Sequence, residues 1–590
     1  MASSFFLSFF ILTTSLTLPV SEQDSSPNRF GVDDIRTTVH ELLAGHLEKK
    51  NVTPQLLQQT CQNCIDKMDP AKVYFLQSEV DSFTNRQFGE KAYHQYFQGR
   101  FDFFLELMTC VQKAIDRARA FRRQKLTDGK VELYDSFAKT IPELQARQRE
   151  SFSQPDVLRE DEQREKEFAL ADYKDIQKRE AQFTEIFLKS FSSALDAHTT
   201  VFTPQEAEAL RLNLDKEAQG LGVVVRSEGD DFIIESIIEG SPADQSKRIK
   251  PSDQLIAING QPIKKMTYDK VQSMLDCPPD KYVALTLKRG LNELNVSLKS
   301  SRFEIMSGRT QMKTYPFKDG VLVSIFLPSF YGGGSTVSCA ADIKNGLQNI
   351  MKQKKVYGVL LDLRANRGGY LQDAVEVVGL FINSGVVVQA KYFDGHVQVF
   401  RDLDPEKVYS GPMIVLTSKI TASAAEIVAE ALKEYGVALI VGDEHTYGKG
   451  SVQYETATQD GKEDRNGEPS FKVTVGRYYS PSGMSTQLQG VTADIVVPGS
   501  LTYRQIGEQY LKGALKGDSI PSNFKPAHQP TEKIVALQKL SLKRLSKNTK
   551  YVSLIQNEKS AVPDLATQQE INTLQLQEAL EILKDYASGK

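Results

Sequence analysis

The run Ile414-Val-Leu-Thr-Ser-Lys-Ile-Thr-Ala-Ser423-Ala-Ala-Glu-Ile427 reads as a buried strand, a turn and a helix that opens on small residues. The helix periodicity places Ala424, Ile427, Val428, Ala431, Leu432 and Tyr435 on one apolar face. It predicts Glu426, Glu430, Lys433 and Glu434 on the exposed face, with a stop at Gly436. Ser423 falls at the strand-to-helix junction, beside unpaired N–H groups and the positive end of the helix dipole, where negative charge on a reacting oxygen is favoured. A plain N-cap serine has the same appearance, so this segment alone is no active site. It does establish a strand feeding a helix, and the pattern repeats on both sides. Strands are predicted over 321–327, 356–363, 413–417 and 437–441, and helices over 341–351, 371–382 and 424–435. That alternation describes an α/β core.

A second segment returns to the same sheet edge: Gly442-Asp-Glu-His-Thr-Tyr447-Gly448-Lys449-Gly450-Ser-Val-Gln453. Glycines on both sides of Lys449 let backbone approach closely and remove side chains that would keep the ammonium hydrated. Desolvation opposes the charged form of an amine, so a packed lysine here is a candidate general base for Ser423. The ordinary alternative for Gly-Lys-Gly is a surface turn with a solvated lysine. His445, in the same loop, raises a Ser-His-Asp alternative with Asp443 or Asp362.

Upstream, Ile35, Val39, Leu42, Leu43 and Leu47, and later Phe101, Phe104, Leu105, Met108 and Val111, recur at helical spacing, so the N-terminal third is predicted helical. At Gly220 the period changes to strand-like runs, Leu221-Gly222-Val223-Val224-Val225 and Phe232-Ile233-Ile234. Gly240-Ser-Pro-Ala-Asp244, Asp253-Gln-Leu-Ile-Ala-Ile-Asn-Gly260, a helix over 268–275 and a strand over 283–288 follow. That series resembles a PDZ domain. The resemblance implies a peptide groove at Leu221, Gly222, Val223, Val224 and Val271, where backbone N–H groups converge on a terminal carboxylate and an extended peptide adds as a strand. Internal docking would use the same words. After Pro498 the chain is predicted helical again, and the cluster Lys543, Arg544, Lys547 and Lys550 reads as a solvated face.

Taken together, Asp196-Ala-His198-Thr-Thr-Val-Phe202-Thr-Pro204, the PDZ-like module, Asp362-Leu-Arg364-Ala-Asn366-Arg-Gly368-Gly369, the Ser423 segment, Tyr447-Gly-Lys449-Gly-Ser-Val-Gln453 and Gly490-Val-Thr-Ala-Asp494-Ile resemble the tail-specific, or carboxyl-terminal processing, protease family. The long helical flanks are similar to its larger bacterial members. The resemblance implies a multidomain α/β protein: a protease core of the ClpP/crotonase-like kind, an inserted PDZ domain, and helical domains at both ends. The corresponding divisions are a signal peptide at 1–22, a helical domain at 23–200, a linker at 201–215, the PDZ domain at 216–299, the core at 300–500 and a helical domain at 501–590. Carried over by motif, Ser423 is the nucleophile, Lys449 the base, and Gln453 the residue that orients the lysine. Gly369 and Ala424, with Gly368 beside them, form the oxyanion hole. Where the family often has Ser-Ala-Ser-Ala-Ser-Glu, this chain has Thr421-Ala-Ser423-Ala-Ala425-Glu, leaving one serine candidate in the motif. The interval to Lys449 is longer than the family's by one residue, within Asp443 to Thr446, so a bulged loop and a misaligned resting dyad are expected. His198 is read as stabilising a turn.

The rest of the sequence sets bounds. With 590 residues, 40% of them hydrophobic and 25% charged, the chain builds several cores. Lys+Arg 72 against Asp+Glu 75 leaves a formal charge of −3, which excludes a dedicated nucleic-acid binder. No metal site or organic cofactor follows from the motifs. Met1 to Val20, with Phe5, Phe6, Leu7, Phe9, Phe10, Ile11 and Leu12, resembles the apolar region of a secretory signal and predicts export to a bacterial periplasm or cell envelope. It lacks a basic start, and a cytoplasmic protein is the alternative. Cys61 and Cys64 read as one helix face, with a local disulfide left open. The predicted activity is a serine endopeptidase acting on proteins or peptides with apolar C-terminal tails. A catalytically idle PDZ scaffold is the rival, and self-association and an adaptor stay open.

Overall fold

The computed structural model describes residues 32–122, 134–152, 155–170, 176–228, 231–264, 266, 268–333, 337–456, 470–527, 530–560 and 563–589. The signal-like segment at 1–22 lies outside them. At the centre is a sheet in the order Gln311–Phe317, Gly320–Phe326, Val356–Asp362, Met413–Thr417, Ala438–Gly442, Ile495–Val496. Its first pair is antiparallel and all the others are parallel. A parallel sheet needs cover on both faces, and the strands here are apolar on both. Val323, Val359, Leu361, Met413, Val415 and Ile440 pack under the helices Cys339–Gln353, Leu371–Gly379 and Ala424–Glu434. Leu322, Leu360, Ile414, Leu416, Leu439 and Val441 point the other way and meet Leu537, Leu580 and Leu583 of the helices Thr531–Lys547 and Leu565–Ala587. The C-terminal helices are thus the second cover of this sheet. The stretch from 499 to 527, predicted helical, instead runs mostly as irregular chain along the core, with one short helical turn at Glu508–Tyr510.

A second sheet, antiparallel, is built around the long strand Ser470–Tyr479. That strand pairs with Ser451–Glu455, Gly385–Tyr392 and Thr200–Phe202. The last pairing corrects the reading of 201–215 as a linker: a core strand occupies its start and the helix Pro204–Asp215 the rest. The N-terminal helices close over this sheet. Phe103, Phe104, Phe187 and Phe191 form their buried aromatic centre, which is continuous with Val201, Phe471 and Val473. Cys61 and Cys64 are buried free thiols on the helix Pro54–Met68, and burial pushes the Cys64 thiol up to about 12.

The PDZ-like module has its own core around Leu221, Val225, Phe232, Leu255, Val271 and Leu285. Its sheet runs Val223–Glu228, Asp231–Ile237, Gln254–Ile258, Tyr282–Arg289, Asn292–Lys299, with Val223–Glu228 at an edge. Entry and exit chains pair as an antiparallel ribbon, Glu217–Gly220 with Ser301–Glu304. Among the described residues no helix is long and apolar enough to cross a membrane.

Candidate active site

The strand Met413–Thr417 delivers the chain to the sheet's C-terminal edge, and Ser423 begins the helix there with φ 59° and ψ −120°. A side-chain-bearing residue is strained in that conformation, and such strain persists only where the surroundings impose it. Gly368 packs directly against Ser423: a Cβ on Gly368 would lie 3.0 Å from Ser423 Cβ. Among the described residues the Ser423 side chain makes no hydrogen bond to a helix N–H, while the Ser423 N–H is itself taken by Glu426, three residues on. The plain N-cap alternative therefore loses its main observation, and the hydroxyl sits at the helix start without that duty.

The helix also corrects a prediction. Glu426 is 0% exposed and Glu434 3%, although both were assigned to the solvent face. The Glu434 side chain accepts from the Ser480 hydroxyl and the Ser482 N–H, and its backbone carbonyl accepts the Ala527 N–H. Glu426 accepts the N–H groups of Ser423 at 2.8 Å and Lys449 at 2.9 Å on one oxygen. On the other it accepts the Gly448 N–H at 2.6 Å and the Thr446 hydroxyl. Burial raises its pKa to about 7 despite these donors. A signal for this was present in the sequence, since Ser423-Ala-Ala-Glu426 has the S-x-x-E capping spacing.

Lys449 keeps some open residue surface, yet protein packed around its amine lowers the pKa to about 8, first by desolvation and then through Lys472. Glu455, Glu508 and Glu426 act in the opposite direction. Among the described residues, no side chain or carbonyl hydrogen-bonds or ion-pairs with its Nζ. A desolvated amine without an anionic partner releases its proton easily, as a general base requires.

Gln453 departs from expectation: its Nε2 donates to Ser451 Oγ at 2.9 Å and Thr474 Oγ1 at 3.3 Å, and among the described residues it makes no hydrogen bond to Lys449. Of the three oxyanion candidates, Gly368 donates its N–H to Asn366 Oδ1 at 2.8 Å. Gly369 bridges to Phe330 through its neighbours' groups, and Ala424 is the first residue of a helix, where N–H groups lack internal acceptors. Among the described residues, the N–H groups of Gly369 and Ala424 meet no acceptor.

Neither histidine builds a triad. His445 Nδ1 lies 2.8 Å from the Thr446 carbonyl oxygen, and Asp443 accepts from Lys419 N–H and Gly499 N–H. The lengthened loop is held by pairing of His445 with Thr492. His198 pairs with buried Glu508 at 2.8 Å, while the turn around it is held by Asp196, which accepts the His198 and Thr199 N–H groups and contacts His46. Glu508 donates its N–H to the Tyr447 carbonyl, and Gln487, which donates to Glu508, accepts the Gly450 N–H, so Glu508 and Gln487 together buttress the lysine loop. No sequence signal pointed to Glu508 or Gln487. Among the described residues, no group of His, Cys, Asp and Glu is arranged to hold a metal ion.

In the PDZ-like module, Leu221 is fully buried and its N–H donates to the Leu275 carbonyl, so that donor is not open to a carboxylate. Gly222 has φ 72°, and a Cβ there would strike Ser241. Val223 and Val271 are buried, Val224 is half-buried, and the outer edge of Val223–Glu228 faces the helix Tyr268–Leu275 without a strand between them.

Three family models match the chain: Peptidase family S41 over 323–497, Tail specific protease N-terminal domain over 38–205, and PDZ domain over 211–288. The chain is 30% identical over 342 residues to a carboxy-terminal-processing protease of Bartonella bacilliformis, covering 55% of this chain and 73% of that one. It is 29% identical over 376 residues to a tail-specific protease of Haemophilus influenzae, covering 60% of this chain and 52% of the relative, about half its length. Among solved structures, a photosystem II D1 C-terminal processing protease aligns with TM-score 0.32 and 22% identity over 65% of this chain and 92% of that one.

Proposed function

Because the chain belongs to the tail-specific, or carboxy-terminal-processing, protease family, we propose that it is a serine endopeptidase in which Ser423 attacks and Lys449 is the base. One observation carries the reading: an amine brought to about 8 and free of any partner among the described residues lies on a loop tied to the Ser423 loop through Glu426. Neutral Lys449 takes the Ser423 proton as Oγ adds to the scissile carbonyl carbon. The resulting oxyanion meets the N–H groups of Gly369 and Ala424, each worth about 3–4 kcal/mol in comparable sites. The ammonium then protonates the leaving amine, the C–N bond breaks, and water hydrolyses the acyl ester by the same base. Gln453 enters as the lysine's orienting partner only after a side-chain rotation away from Ser451 and Thr474.

Substrates are proteins presented by an apolar C-terminal tail. The tail adds as a strand along the edge of Val223–Glu228, with Gly222 and Val223 at its carboxylate end and Val224 and Val271 lining the side-chain groove. The proposed location is a bacterial periplasm or cell envelope.

The test compares digestion of casein and of a protein with an apolar tail by wild type, Ser423→Ala and Lys449→Ala. Activity in the wild type alone is expected, rising with pH through about 8 as Lys449 loses its proton. Equal activity in all three removes the dyad. Tail binding without any turnover returns the idle-scaffold reading.

A further inference from the structure

The backbones of Ser423 and Lys449 share two side chains. Glu426 accepts both of their N–H groups on a single carboxylate oxygen, at 2.8 and 2.9 Å. Tyr478, on the central antiparallel strand Ser470–Tyr479, directs its hydroxyl at both of their carbonyls: it lies 3.2 Å from the Ser423 oxygen and bonds the Lys449 oxygen more closely. The Thr486 hydroxyl donates to the same phenol at 3.0 Å and orients it. We propose that Glu426 and Tyr478 are positioning residues that fix the approach of Ser423 to Lys449, one gathering the two N–H groups and the other the two carbonyls. The inference rests on the Ser423/Lys449 reading above.

The chemistry of the pair supports a role beyond folding. A fully buried carboxylate is costly unless paired, and among the described residues Glu426 has no ion-pair partner. Its donors all come from the serine and lysine loops, which are also joined by the parallel pairing of their preceding strands, by the Tyr447 N–H on the Thr421 carbonyl and by the Lys419 N–H on Asp443. Tyr478 is likewise buried, and its phenol meets one carbonyl from each of the two loops. Two loops from different βα units are thereby held in a single relative position. A nucleophile and base need that constraint, because small displacements cost large factors in rate.

The test uses the full chain with Tyr478→Phe, Glu426→Gln and Ser423→Ala, measuring kcat, KM, the pH profile and Tm on a protein with an apolar tail. Tyr478→Phe is expected to lower kcat by about 10–100-fold with KM nearly unchanged and the pH midpoint fixed. Glu426→Gln is expected to lower kcat similarly and to move the midpoint to lower pH. That direction follows because it removes one anion facing Lys449 while Glu455, Glu508 and the opposing Lys472 remain. Wild-type kcat in both variants, with Ser423→Ala inactive, overturns the inference and leaves the dyad standing. A loss that follows Tm, with no midpoint shift in Glu426→Gln, marks a merely structural role and overturns it too. Activity surviving in Ser423→Ala removes the dyad itself. Should Glu426→Gln not fold, Tyr478→Phe, which loses one oxygen, decides alone by its kcat-against-KM split.

Discussion

At the residue scale the protein keeps a lysine where folding disfavours it. Lys449 falls from 10.5 to about 8 on burial, so between those values the unfolded chain holds a proton that the folded chain has released. Stability therefore rises with pH across that window and is reduced below about 8, where folding must hold a desolvated cation. Lys449→Met is accordingly expected to abolish proteolysis yet raise Tm at pH 7, with the advantage shrinking by pH 10; scanning calorimetry of both proteins at the two pH values checks this. A lower Tm at pH 7 would mean the amine is solvated. Ser423 and Lys449 were legible because their signals are local: a strand-to-helix junction and a glycine-flanked lysine. Glu426 was misplaced on the solvent face, since periodicity along one helix takes no account of a loop that arrives from a different βα unit and covers it.

Among the elements, the least foreseen role belongs to the final helix. Helical structure after Pro498 is readable in the sequence, and Leu565–Ala587 is the last helix observed there. Its place on the second face of the parallel sheet is not, because nothing in the segment says which apolar surface it meets. Leu583 is fully buried there, and it lies so close to the strand Val356–Asp362 that a Cβ on Gly358 would meet its side chain at 2.8 Å. Leu583→Ala should cost about 2–5 kcal/mol, read as a lower urea midpoint with unchanged m-value. Little loss would mean the helix is a loosely attached appendage. The antiparallel sheet went unread for a related reason: Ser470–Tyr479 alternates properly, but its partners lie at 200–202 and 385–392, and only the folded chain brings them together.

For the whole molecule, the paired ribbon Glu217–Gly220 and Ser301–Glu304 is the connection between the PDZ-like module and the core. Just before it, Asp215 accepts from the Tyr370 hydroxyl, and Leu214 accepts the Gly332 N–H. Tyr370 directly follows Gly369, so the module's root touches the turn that carries a proposed oxyanion donor. Replacing residues 221–300 with an Asn-Gly turn should preserve the ribbon and lower kcat/KM on a tailed protein by about 100-fold, toward the value for the same protein without its tail. Full, unregulated turnover of the tailed protein would exclude activation by the module. By itself the amino-acid order determined the order of βα units, the PDZ-like insertion and the short motifs that carry Ser423 and Lys449, because periodicity, turn chemistry and short motifs act over a few residues. Only the tertiary structure decided that Glu426 is buried, that Gln453 turns to Ser451 and Thr474, that Gly368 gives its N–H to Asn366, and that the last helix closes the sheet. Each of these depends on which distant groups exclude water from a given atom, and that exclusion exists only once the chain is folded.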